Sequence, residues 1–88
     1  MPVTLNNLLP LEFPDRRWFE EVVRAVFEGL PGGPWDIKLS RSPFDPSRVS
    51  VEVRGPHRVM LTSVGGRASR EEITERLRMF SEWDSSST

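Results

Sequence analysis

This chain has no cysteine, no tyrosine and only one histidine, His57, among its 88 residues. Without cysteine it has neither a disulfide framework nor thiolate chemistry. A lone histidine cannot build a histidine-rich metal site, and no carboxylate stands at a metal-ligand spacing from it. The sequence also lacks a phosphate-binding glycine loop, a dinucleotide fingerprint and a nucleophile elbow. It therefore predicts a protein that is not an enzyme and needs no cofactor.

Long apolar runs and an excess of charge are missing as well. No stretch approaches the roughly 18 apolar residues of a membrane span. The N-terminal region contains Pro2, Pro10 and Pro14 and lacks the charged start and apolar centre of a secretory signal. The net charge of −1 disfavours strong non-specific binding of nucleic acid. We therefore expect a cytoplasmic protein of one small domain.

Lysine is almost absent, since eleven arginines stand against the single Lys38. One interpretation is the codon bias of a GC-rich genome. The other is selection for arginine, whose planar guanidinium makes forked contacts with phosphate or carboxylate. Composition alone does not separate these two interpretations.

Three runs at the centre of the chain, residues 35–41, 48–54 and 58–64, have the pattern of β-strands. Turn-forming residues separate them, and the short connections predict a three-stranded antiparallel meander. The second run alternates most clearly between apolar and polar residues, as expected of a strand with one buried face.

The sequence of the third run does not decide which of its two faces is buried. Val59 and Leu61 suit one face of the strand, and Met60, Thr62 and Val64 suit the other. If Met60 and Val64 are exposed, the outer face of the sheet has an apolar spot suited to a partner.

Residues 15–28 and about 70–83 show the apolar period of amphipathic helices. Asp15 and Gly29 are expected to cap the first helix, the glycine in a left-handed conformation. Ser69 begins a capping box at the second helix. The predicted apolar stripe of this helix consists of Ile73, Leu77, Phe80 and Trp83. Each helix has one apolar face, so both should cover the same side of the sheet.

The predicted fold is a two-layer α+β domain over residues 15–83, with the order α-β-β-β-α. Residues 84–88 are expected to be a disordered tail. Residues 1–14 form an apolar arm, in which Leu9, Leu11 and Phe13 alternate as in an edge strand. The arm is either an extra edge strand packed on its own domain or a peptide that docks onto a partner. The residues proposed for such partner contacts are Leu5, Leu8, Leu9, Leu11, Phe13 and Met60.

The predicted layout gathers arginines at one end of the sheet, where both helices begin. The arginines of this predicted rim are Arg16, Arg17, Arg41, Arg48, Arg67 and Arg70. Helix N-termini and the Gly65–Gly66 backbone at the same end would attract an anion such as phosphate. Asp15, Glu71 and Glu72 lie there too and would neutralise part of the charge.

The order α-β-β-β-α resembles that of the double-stranded RNA-binding domain over about residues 15–83. Members of that family carry Gly-Pro-x-His between the first two strands, whereas here 55-GPH-57 lacks the spacer and falls one turn later. They also carry a lysine cluster where this chain has 69-SREEIT-74. The resemblance implies RNA binding, but because both motifs depart from the family pattern, no site residue carries over.

Two functions are thus consistent with the sequence. The leading hypothesis is a protein-interaction module or adaptor, monomeric or homodimeric, whose partner is another protein or a second copy bound through the arm and the exposed sheet surface. The alternative is a nucleic-acid or anion-binding domain that uses the arginine rim.

Overall fold

The fold is known from a computed structural model that describes residues 3–85. Its elements are β1 (Val3–Asn7), α1 (Arg16–Glu28), β2 (Trp35–Arg41), β3 (Arg48–Arg54), β4 (Val59–Gly65) and α2 (Arg70–Ser85). The four strands form one sheet in the order β1-β2-β3-β4. The predicted α+β arrangement is confirmed, and a fourth strand joins the meander and makes the sheet mixed. The remaining residues of the predicted tail, 86–88, lie outside the described chain.

The core lies on one face of the sheet, beneath both helices. The sheet residues buried there are Trp35, Ile37, Leu39, Val49, Val51, Val53, Met60 and Val64. From α1, Phe27 packs against Trp35 and against Phe80 of α2, with ring centroids 5.5 and 6.1 Å apart. Each fully buried side chain of this kind stabilises the fold by roughly 1.5–3 kcal/mol.

The register of β4 shows which face of this strand is buried, a point that the sequence did not settle. Met60 pairs with Val53 and Val64 pairs with Val49, both of which are core residues. Met60 is consequently only 7% exposed, whereas Leu61 is 67% exposed. The apolar spot on the outer face therefore cannot include Met60, contrary to its inclusion among the partner-binding residues.

The N-terminal edge strand lies earlier in the chain than the alternation of residues 9–13 indicated. β1 spans Val3–Asn7 and pairs with β2 in parallel. Leu8 N donates to Leu39 O at 2.8 Å, and a turn closed by the Phe13 N to Pro10 O bond follows at 2.9 Å. The chain turns where an extended strand was expected, and this turn sends Leu9 and Phe13 into the core.

The helix ends differ in part from the predicted caps. Asp15 is the N-cap of α1, but it has a φ of 58° and its side chain makes no capping hydrogen bond. Gly29 has a φ of −91°, so the predicted left-handed C-cap is wrong. At α2 the predicted cap by Ser69 is confirmed, because Ser69 Oγ accepts a hydrogen bond from Glu72 N at 3.2 Å, which is one of the two bonds of a capping box.

The C-terminal end of α2 is tied to the hairpin between β3 and β4. Asp84, which was assigned to the tail, belongs to the helix and is only 3% exposed. Its Oδ1 accepts hydrogen bonds from the backbone N–H groups of His57 and Arg58, each at 3.0 Å. A Cβ on Gly55 would lie 2.5 Å from the same oxygen, so glycine is required there. Because α2 ends at this hairpin, it runs antiparallel to β4.

We predict that Asp84→Ala lowers the free energy of unfolding by about 2–3 kcal/mol, because two partly buried backbone N–H groups lose a charged acceptor. Urea denaturation of the variant and the parent protein measures the difference. The control is Glu71→Ala, which removes an exposed carboxylate from the same helix. Equal losses in the two variants would show that the Asp84 contacts do not contribute as described.

Candidate functional site

The sheet has two edges, and they differ in how well they are protected. β1 has five residues and ends in two asparagines, one of which, Asn7, donates its amide to Arg16 O and Glu20 Oε1. β4 has seven residues, VMLTSVG, without a charge or a proline. Charges and prolines are the usual means by which an edge strand is kept from pairing with another chain. β1 lacks charges and prolines as well, but it is two residues shorter than β4, and a short edge strand offers less backbone to a partner. The β4 edge is therefore the better suited of the two to accept a strand.

The hydrogen bonds of the β3–β4 ladder show which backbone groups face outward. Gly55 N donates to Arg58 O at 2.8 Å, and Gly66 N donates to Ser47 O at 2.9 Å. Because hydrogen-bonded and non-hydrogen-bonded pairs alternate in an antiparallel ladder, these two bonds set its phase. The residues of β4 whose N–H and C=O groups consequently point away from β3 are Val59, Leu61, Ser63 and Gly65. The Gly65 carbonyl already accepts a hydrogen bond from Ala68 N at 3.0 Å.

One end of this edge is already occupied by the chain itself. The Arg48 guanidinium donates from Nη2 to the Ser63 carbonyl and from Nε to the Ser63 hydroxyl, each at 3.2 Å. The outward backbone groups of Val59 and Leu61 make no comparable contact with a side chain among the described hydrogen bonds. The backbone groups left open on this edge are thus those of Val59 and Leu61, while the Ser63 carbonyl is shared with Arg48.

Large apolar side chains are exposed on both sides of the β4 edge. On the outer face of the sheet, Val59 is 59% and Leu61 is 67% exposed. On α2, Met79 is 42% and Trp83 is 41% exposed. Exposed apolar residues that cluster in this way are typical of binding surfaces.

A groove of about 630 Å³ separates the β4 edge from α2, and we call it the edge groove. Its lining residues are Thr62, Glu71, Glu72, Glu75, Arg76, Met79 and Trp83. Three carboxylates and one guanidinium give this lining a charge of −2. The acidic residues lie in the first half of α2 and the two apolar residues lie in its second half.

The structure brings part of the predicted arginine rim together. Arg41 and Arg67 line one pocket of about 640 Å³ with Phe13 and the Gly65–Gly66 backbone. The Arg41 guanidinium lies 5.9 Å from the centroid of the Phe13 ring, within the range of a cation–π contact. Arg48 joins Arg67 in a neighbouring pocket of about 300 Å³.

The other predicted rim residues do not line these two pockets. Arg16 donates from Nε to Leu9 O at 2.8 Å and from Nη2 to Asn7 O at 3.2 Å, so its guanidinium fastens α1 to the end of β1. Arg17 and Arg70 are exposed at the starts of α1 and α2. Asp15 lines the larger pocket and offsets part of its positive charge.

The predicted arm residues are divided between core and surface. Leu9 and Phe13 are buried, Leu5 is half-buried, and Leu8 and Leu11 are exposed. Most of the described arm therefore packs on its own domain, which is the first of the two alternatives that the sequence left open. Its two exposed leucines lie outside the edge groove.

Sequence reasoning missed Met79 and placed Trp83 in the buried stripe of α2. Ile73, Leu77 and Phe80 fill that stripe and are fully buried. Trp83 continues the spacing but packs on Phe80 at a centroid distance of 5.4 Å and remains partly exposed. A methionine outside the helical stripe was the signal that could have indicated a second apolar surface.

We predict that Ser47→Ala raises the pKa of Asp45, which lies in the loop beside the rim pockets. Asp45 Oδ1 accepts hydrogen bonds from the hydroxyl and the backbone N–H of Ser47, at 2.7 and 3.0 Å, and these bonds hold the pKa of Asp45 below its usual value. The stabilisation from a lowered pKa is present above the unfolded-state pKa and is lost as the pH falls through the folded-state pKa.

The pKa is read from an NMR pH titration of the Asp45 carboxyl carbon, with Ser50→Ala on β3 as the matched control. The Ser47→Ala variant should lose stability at neutral pH and match the parent protein in strong acid. An unchanged Asp45 titration would show that the serine hydroxyl is not the main cause of the shift.

Within residues 3–85 no helix is long and apolar enough to cross a membrane. The same residues contain no group of three or more histidine, cysteine, aspartate or glutamate side chains able to hold a metal ion. Comparison of the chain with known protein families, curated proteins and solved structures finds no match. Function is therefore inferred from the surface of this chain alone.

Proposed function

We propose that this chain is a non-enzymatic protein-interaction module that binds an extended segment of another protein beside β4. The segment would become an added strand of the sheet. The observation that carries this proposal is the β4 edge, where outward backbone groups lie between exposed apolar side chains on the sheet and on α2. Strand addition uses main-chain hydrogen bonds for affinity and side-chain contacts for selectivity.

Binding of an extended segment requires both the open backbone edge of β4 and the apolar side chains beside it. An extended segment loses conformational freedom when it is ordered on the edge, and this loss opposes the gain from its backbone hydrogen bonds. Contact with Leu61 and Val59 on one face, and with Met79 and Trp83 on the other, supplies additional free energy through burial of apolar area. The module therefore combines the unpaired backbone groups of the β4 edge with apolar side chains on both sides of that edge.

Anion or nucleic-acid binding at the rim is the second candidate. It is favoured by the convergence of Arg41 and Arg67 on one pocket beside the Gly65–Gly66 backbone. Against it stand Asp15 in the same pocket, the use of Arg16 by the chain's own carbonyls, and the net charge of −1. Strand addition at β4 is therefore preferred.

We predict that peptides selected for binding to this protein lose affinity at least about tenfold when Leu61 is replaced by Lys. The peptides come from a phage-displayed library of random segments as long as β4, seven residues. A charged side chain on an edge strand disfavours the approach of another strand. Affinity is measured by biolayer interferometry on the purified variants.

The matched control is Thr4→Lys, which places the same charge at an exposed position of β1, on the opposite edge of the sheet. It should leave binding unchanged. Selected peptides that bind both variants as well as they bind the parent protein would contradict the proposal. Thermal unfolding of both variants establishes that they remain folded.

We also predict that a short RNA duplex leaves the amide NMR spectrum of the protein unchanged at low salt, because carboxylates offset part of the rim charge and the chain as a whole has a net charge of −1. Shifts at Arg41, Arg48 and Arg67 that weaken steeply with added salt would instead favour the alternative, since phosphate binding releases counterions. The double variant Arg41→Gln/Arg67→Gln should then abolish those shifts.

A further inference from the structure

The two faces of an added strand would meet different surroundings. Successive side chains of a strand point to opposite faces of the sheet. One set would lie beside Val59 and Leu61 on the outer face. The other set would lie beside Thr62 and extend over the edge groove towards α2. The chemistry of each surface indicates which side chains it accepts.

The edge groove favours basic side chains. Its carboxylates, Glu71, Glu72 and Glu75, outnumber its one guanidinium, Arg76. Glu75 also forms an exposed ion pair with Arg78 at 3.3 Å, so the excess negative charge lies chiefly at Glu71 and Glu72. Opposite charges across an interface favour the matching partner and repel the wrong one. Lysine and arginine also have long apolar stems that can cover Met79, and their cationic ends can lie over the face of Trp83.

The outer face favours apolar side chains. Val59 and Leu61 are its exposed apolar residues on β4, and they pair with Arg54 and Glu52 on β3. The opposite charges of these two β3 residues balance each other. A partner side chain at this face would therefore gain more from apolar contact with Leu61 than from charge.

A second copy of this chain is a less favourable partner for the β4 edge than a segment with basic and apolar side chains. Two β4 strands paired antiparallel about a two-fold axis would place their α2 helices side by side. Because α2 runs antiparallel to β4, the acidic half of one helix would face Met79 and Trp83 of the other. Carboxylates would then be removed from water against apolar side chains, which costs free energy unless a cation pairs with them.

We infer that the partner segment alternates basic side chains, directed over the edge groove, with apolar side chains on the outer face of the sheet. This inference rests on the proposed strand addition at β4. The partner is thus an extended cationic segment of another protein.

The test uses two blocked seven-residue peptides, one alternating lysine with valine and the other alternating glutamate with valine. Each is titrated into isotopically labelled protein and followed by amide NMR. We expect the lysine peptide to shift the amides of Val59 and Leu61 and the glutamate peptide to leave them unchanged. The preference should shrink as salt is added, because exposed charges are screened.

The charge contribution is isolated with Glu71→Gln/Glu75→Gln. This variant should bind the lysine peptide about fivefold more weakly at low salt, since two exposed ion pairs are lost. The matched control, Glu21→Gln/Glu28→Gln, removes two exposed carboxylates from α1 and should bind as the parent protein does.

Three outcomes would overturn the inference. Equal binding of both peptides at the β4 amides would leave strand addition intact and remove the charge preference. Failure of the lysine peptide to bind, while library peptides remain sensitive to Leu61→Lys, would show a different partner chemistry. A dimer in light scattering that Leu61→Lys dissociates would identify a second copy as the occupant.

Discussion

Burial of a single sheet face is the constraint on which the rest of this structure depends. Alternate residues of β2 and β3 are fully buried, and their neighbours face the opposite side. Both helices must then cover the same face, because β2 and β3 present apolar side chains on that side alone. Because both helices cover one face of the sheet, its outer face is left uncovered. In the described chain, β4 has no neighbouring strand on the side away from β3.

One carboxylate holds the end of the second helix beside the β4 edge. The short connection after β4 sends α2 back along the strand in the opposite direction, and Asp84 joins the end of the helix to the hairpin that precedes β4. Its acidic first half consequently lies near the end of β4, and Met79 and Trp83 lie nearer the start. The edge groove, with its apolar and acidic parts, follows from this orientation.

Chain order was enough to bring three of the six predicted rim arginines together. Arg41, Arg48 and Arg67 adjoin connections at one end of the sheet, and the structure brings them to adjoining pockets. Sequence reasoning failed for Arg16, whose hydrogen-bond acceptors belong to a strand end and loop that the sequence had placed differently. The surface formed by Met79 and Trp83 was also missed, because its definition requires the strand against which α2 lies.

The sequence by itself determined the two helices, the three central strands and their α+β arrangement. These elements follow from local periods of 3.6 and 2 residues, which are visible in a single chain. The parallel pairing of β1, the buried face chosen by Met60 and the contacts of Asp84 were decided only by tertiary structure. Each depends on partners distant in sequence, and local spacing carries no information about which distant residues will meet.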